Sequence, residues 1–275
     1  MNPTRLFSFS ILIIIISNCY AGYFNISGAE SSGLSGASIA LTEPTIYLDN
    51  QALLSKVDAF SFGAHYYNRY GLSEISTRHL SVMHPLARGG AAYRLSYFGS
   101  HPYNELQAGV AYGLRIMEKM AIGAEMDYYN TSLETEEENQ QAVSGDIALL
   151  VNATENFSIG VQATTISNSS YFNYDGNQIN SGFRSGLAYQ TKTYGLFTEA
   201  EFQKDSPTIF KAGIQLCFVE NLDIRMGISN DDYSHYSFGL GYTLKGIYAD
   251  VAFVKHPVLG FSSVISLGYR FKSNE

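Results

Sequence analysis

Taking every second residue, the stretch 261–271 separates into two faces. Phe261, Ser263, Ile265, Leu267, Tyr269 and Phe271 lie on one; Ser262, Val264, Ser266, Gly268 and Arg270 lie on the other. Successive side chains of a strand point to opposite sides, so one face is oily and aromatic and the other small, polar or charged. The pattern recurs upstream. Phe210, Ala212, Ile214, Leu216 and Phe218 oppose Lys211, Gly213, Gln215 and Cys217, and Tyr236, Phe238, Leu240, Tyr242 and Leu244 oppose Ser237, Gly239, Gly241, Thr243 and Lys245. Each piece is about ten residues long, the length a tilted strand needs to cross the hydrocarbon layer.

Alternation and turn signals predict fourteen strands, over 57–67, 76–87, 90–100, 105–116, 120–133, 143–154, 157–167, 181–191, 194–204, 208–219, 222–229, 235–245, 247–256 and 261–271. Alternate connections are tight, as at Arg88-Gly89, Glu155-Asn156, Lys192-Thr193, Glu220-Asn221 and Lys245-Gly246, while 68–75, 134–142, 168–180 and 230–234 are longer. Short turns on one side and longer loops on the other are what an up-and-down membrane barrel shows. The expected fold is therefore all-β: a 14-stranded antiparallel transmembrane β-barrel over 57–271, its oily faces toward lipid, with an N-terminal plug-like segment at 22–56 and a short tail at 272–275.

Residues 1–21 read as a secretory signal. Arg5 supplies the positive start, Leu6 to Ile16 the apolar run, and Cys19-Tyr20-Ala21 a small-x-small site with cleavage after Ala21. Ile16-Ser17-Asn18-Cys19 leaves open acylation of Cys19 instead. The only other cysteine is Cys217, so no intramolecular disulfide is available once Cys19 leaves. Export and a membrane barrel together place the protein in the bacterial outer membrane. The aromatic last strand resembles the signal by which such barrels are recognised for insertion, although four residues follow Phe271.

The segment 22–56 is not a strand array. It holds Leu34-Ser35-Gly36-Ala37 and later Asn50-Gln51-Ala52-Leu53-Leu54. These resemble the N-terminal signature of the PorV/PorQ group and the related FadL-type fatty acid transporters, with Gly36, Ala37, Asn50, Ala52, Leu53 and Leu54 matching it. Ser35 stands where that signature has a glycine, Gln51 where it has a proline, and Thr42-Glu43-Pro44 where it has an acidic pair. Fourteen is also the strand number of the FadL-type family. The resemblance implies either of two roles. The first, preferred, is a binding and scaffold barrel of type IX secretion, with the C-terminal domains of secreted cargo or other secretion-machine proteins as partners. The second is a FadL-like passive transporter of hydrophobic small molecules, the N-terminal segment serving as a hatch.

Composition narrows the remaining chemistry. Charged residues are 15% of the chain, against about 25% in typical soluble domains, as suits a wall whose outer face is apolar. The net charge is −8, and an acidic chain without a basic stripe is no nucleic-acid binder. The charges that remain fall on the inward face: Arg94, Arg115, Glu125, Asp127, Asp146, Arg184, Glu199, Glu201, Lys211, Asp223, Arg225, Asp250 and Arg270. Glu125 and Asp127 are expected across from Arg115, and Asp223 and Arg225 near Lys211. Both signs occur, which implies an ion-paired, hydrated lumen or a polar conduit. The cluster Glu134 to Glu138 reads as a solvated loop tip. His65, His79, His84, His101 and His256 show no metal-ligand spacing. Asp231-Asp232-Tyr233-Ser234-His235 has hydrolase residue types, but a triad is set by geometry. No catalytic residue, cofactor or metal set is expected, and the protein reads as a non-enzyme.

Overall fold

The computed structural model describes residues 28–43, 49–134, 139–164, 181–203, 206–219, 221–231 and 234–272. The expected signal, with Cys19 and its cleavage site, lies outside these, as do most of the acidic loop, the 168–180 loop and the last three residues.

Fourteen antiparallel strands form one closed barrel. They are β1 (Ser61–Asn68), β2 (Thr77–Leu86), β3 (Gly89–Ser100), β4 (Tyr103–Met117), β5 (Met120–Leu133), β6 (Gln140–Asn152), β7 (Phe157–Thr164), β8 (Gly182–Gln190), β9 (Tyr194–Gln203), β10 (Ile209–Val219), β11 (Leu222–Ser229), β12 (His235–Leu244), β13 (Ile247–His256) and β14 (Gly260–Arg270). Each pairs with its neighbours in sequence, and β14 returns to β1 in a register running from Ser61↔Arg270 to Asn68↔Ser263. Closure leaves no sheet edge, the condition for a sheet to sit in lipid. Among the described residues no helix is long and apolar enough to cross a membrane; the strands do so. The expected strands are all present. The chief differences are that β1 begins at Ser61 rather than 57 and that β6 begins at Gln140, which shortens the expected 134–142 loop.

Side-chain alternation maps onto the two walls as expected. Phe62, Leu80, Leu95, Val110, Leu240, Ile265 and Leu267 are exposed on the outside, while their polar neighbours turn inward and are buried. The tight ends use residues suited to them. At Lys245-Gly246 both φ angles are positive, 49° and 87°, the two-residue hairpin turn whose twist matches the strands it joins.

Described residues of the N-terminal segment pack against the inner wall. Residues 28–43 contain a short helix, α1 (Ala29–Gly33), and a 3₁₀ turn follows at Gln51–Lys56. Asn50 caps that turn by accepting the Ala52 N–H, which satisfies an otherwise orphaned donor. Leu34, Ile39, Ala52, Leu53 and Leu54 form one buried cluster with Met83, Leu150 and Phe197 of the barrel wall. An oily inward residue such as Phe197 thus marks the contact with this segment.

Inward glycines mark the closest approaches. A Cβ on Gly113 or Gly123 would run into the backbone of Gln51, on Gly160 into that of Ile39, and on Gly227 into that of Leu34. Their small size serves this contact, in addition to the wall curvature that glycine in a strand permits.

Candidate functional site

The candidate site is the surface where the inner segment meets the charged lumen wall. Three polar clusters organise it. The first centres on Glu199 of β9. Its carboxylate accepts the backbone N–H groups of Ser38 (3.1 Å) and Ile39 (3.0 Å), the Arg184 Nε (2.7 Å) and the Lys211 Nζ (3.1 Å). Lys211 also donates to Glu201 at 2.6 Å. Two cations thus face two buried carboxylates, and backbone donors complete the set, the condition under which buried charge is tolerated. Ser38 continues the network by donating from its hydroxyl to Asp49 (2.7 Å).

The second cluster ties the 3₁₀ turn to β3, β5 and β7. Arg94 pairs with Glu125, and Gln51 donates to the other oxygen of that carboxylate. Gln162 donates to the Gln51 side-chain carbonyl (3.1 Å), and Gln107 donates to Asp127 (3.0 Å). The third holds α1. Arg225 of β11 reaches Asp250 (2.5 Å), Glu30 (3.3 Å) and Asp223 (3.3 Å), while its Nε donates to Gln215 (3.0 Å). Hydroxyls add local ties: Ser266 accepts the Ala29 N–H, Ser237 donates to the Gly33 carbonyl and Ser158 to that of Ala40.

Arg94, Glu125, Asp127, Arg184, Glu199, Glu201, Lys211, Arg225 and Arg270 occupy buried or half-buried inward positions. Two pairings differ from expectation. Arg115 does not face Glu125 or Asp127; it sits at the hairpin end of β4, exposed, where the β4–β5 register shifts between Arg115 and Met117. Arg94 takes its place, reaching over Gly109 and Ala111, which are too small to obstruct it. Likewise Lys211 meets Glu199 and Glu201, because its partner on β11 is Ser229, not Asp223 or Arg225. Arg270 lies over the Tyr248 ring at 5.3 Å. At the short-turn end Lys56 donates to the Thr42 carbonyl (2.7 Å). Burial pushes its ammonium below the usual lysine range; Arg115 adds to this and Glu43 opposes it.

The six signature residues pack within the inner segment and against the barrel wall. Gly36 has φ +80° and its carbonyl accepts from Arg184. Ala37, Ala52, Leu53 and Leu54 are buried, and the Asn50 amide donates to the carbonyls of Ile39 (2.8 Å) and Leu149 (3.2 Å). Ser35, which stands where the signature has a glycine, has φ +53° and a hydroxyl 2.8 Å from that of Ser237. Sequence reasoning missed one feature of the wall. His65 and His79 are register partners on β1 and β2, stacked at 4.4 Å, with the Ser96 hydroxyl 2.6 Å from His79. Their positions on two adjacent inward faces were the available signal.

Beside the segment a cavity of about 130 Å³ remains, lined by both signs of charge, among them Glu30, Asp49, Arg225, Asp250 and Arg270. A closed apolar-walled barrel with a chain segment folded into a charged lumen defines the class: a transmembrane β-barrel of the outer-membrane kind. Solved structures share the fold. The toluene transporter TbuX of Ralstonia pickettii matches with a TM-score of 0.68 at 13% identity, over 91% of this chain and 100% of that one. The toluene transporter TodX of P. putida matches with a TM-score of 0.67 at 14% identity, over 89% and 98%. Omp33 of Acinetobacter baumannii is more distant, at a TM-score of 0.51 and 10% identity over 78% and 99%. No family model matches the sequence, and no curated protein matches it. The PorV/PorQ resemblance accordingly gains no support from these comparisons, whereas the likeness in fold is to structures described as transporters.

Proposed function

We propose that the protein is a passive outer-membrane transporter of small hydrophobic molecules, with the segment 22–56 as its hatch. The observation that carries the reading is the attachment of that segment. It is held across the lumen largely by side-chain contacts: Glu199 on Ser38 and Ile39, Arg225 on Glu30, and Gln51 on Glu125. Such contacts can be exchanged without breaking the strand ladder. The overall fold shared with the toluene transporters supports the solute class, and the remaining cavity is close in size to one that accepts a single aromatic ring. Its lining is polar, so the route favours a molecule that carries a polar group on an apolar body. The secretion-scaffold reading has no observation of its own.

The test is reconstitution into lipopolysaccharide-containing vesicles. The intact protein should speed entry of an aromatic or fatty-acid probe over protein-free vesicles while leaking little sugar. Deleting residues 22–41 should raise sugar leakage. Unchanged leakage would remove the hatch, and an unchanged probe rate would remove the transporter.

A further inference from the structure

We propose that the lumen wall carries a binding site for one hard divalent cation, of the calcium or magnesium kind, between β5 and β6. The register sets Glu125 opposite Asp146 and Asp127 opposite Ser144. All four are inward and buried, so they form a two-by-two block on one face of two adjacent strands. One oxygen from each of the three carboxylates lies within 4.8 Å of the others. Oxygens bound at about 2.3–2.6 Å on opposite sides of a calcium ion are separated by about that span.

A second observation concerns what the block lacks. The Ser144 hydroxyl is buried, in a residue only 2% exposed, and has no hydrogen-bond partner among the described residues. The same is true of the Asp127 Oδ2. Buried polar atoms in native proteins are nearly always satisfied, so each orphan needs an account. A cation seated against Asp127 and Ser144 supplies it for both. Charge points the same way. Arg94 pairs with Glu125, and a divalent ion seated among the three carboxylates adds the positive charge that such a cluster attracts. The side-chain amides of Gln51, Gln107 and Gln162 donate N–H groups to Glu125, Asp127 and Asp146 and hold the carboxylates in place. The candidate ligand atoms are carboxylate and hydroxyl oxygens, with no sulfur or imidazole, which selects a hard ion over zinc or copper.

Binding does not depend on the transport reading, and the test reads binding alone. The detergent-purified, folded barrel is stripped with a chelator and titrated with terbium, which substitutes for calcium. Tyr129, bonded to the same Gln107 as Asp127, lies close enough to sensitise its luminescence. Saturable emission at one ion per chain, displaced by calcium, is expected. The Asp127→Asn/Asp146→Asn protein should lose affinity by at least about tenfold, the smaller effect seen even for groups behind a metal's direct ligands. Ser144→Ala should weaken it more mildly with the barrel's gel mobility unchanged. No saturable emission from the wild type would overturn the site. So would equal emission from wild type and the double variant, which would place the ion elsewhere, as on the acidic loop.

Discussion

At the scale of single residues, the glycines and the buried acid Glu199 carry distinct consequences. Gly160 faces the Ile39 backbone with no room for a methyl group. Gly160→Ala should therefore destabilise the seated segment by about 1–3 kcal/mol, as overpacking does. Limited proteolysis within residues 28–57 reads this directly, and Gly145→Ala, whose Cβ would make only ordinary contact at 3.7 Å, should leave cleavage unchanged. Glu199→Gln removes the charge that Arg184 and Lys211 share. Lys211 keeps Glu201, but Arg184 loses the carboxylate that its Nε bonds; breaking a buried pair in this way costs about 3–5 kcal/mol, so urea unfolding of the folded barrel should shift to lower concentration. An unshifted midpoint would mean that the network is replaceable by its neighbours. Which inward residues meet was not legible in the sequence. Parity assigns a side chain to a face, but stagger between strands decides its neighbours. Arg94 and Glu125 are two strands apart and touch only because Gly109 and Ala111 lie between them. Arg115 has inward parity but lies beside an irregular hairpin end.

At the scale of the element, the strands were legible because their two walls have opposite solvents. β12 shows why. Tyr236, Phe238, Leu240 and Tyr242 are exposed outside, and Ser237, Gly239 and Gly241 face in. The requirement of lipid on one side and a filled lumen on the other repeats at every second position, so the period survives without any long apolar run. Leu240→Arg, near the middle of β12 on the lipid wall, should cost about 2–4 kcal/mol. The measurement is folding into bilayers under urea; a loss well below 1 kcal/mol would place that position outside the hydrocarbon layer. The inner segment was harder to read. Its α1 is five residues long, too short for a periodic pattern, and its course was suggested only by Gly36, Asn50 and Leu53-Leu54. Their roles are local: Asn50, for instance, caps one turn and bonds the Ile39 carbonyl of the preceding stretch.

At the scale of the whole molecule, the ring is sealed by its two terminal strands, and the chain that fills it precedes the first of them. β1 and β14 pair along eight positions, yet the described parts of the inner segment touch β3–β6 and β11–β14 and hydrogen-bond to β7, β8 and β9. The ring therefore either wraps around the segment as it closes or admits it afterwards from an open end. Glu199 and Arg225 belong to β9 and β11, so two of the polar anchors of the segment lie in the second half of the wall. Seating of the segment therefore depends on the second half of the wall being in place, and on the proposed hatch reading the same contacts are those exchanged on opening.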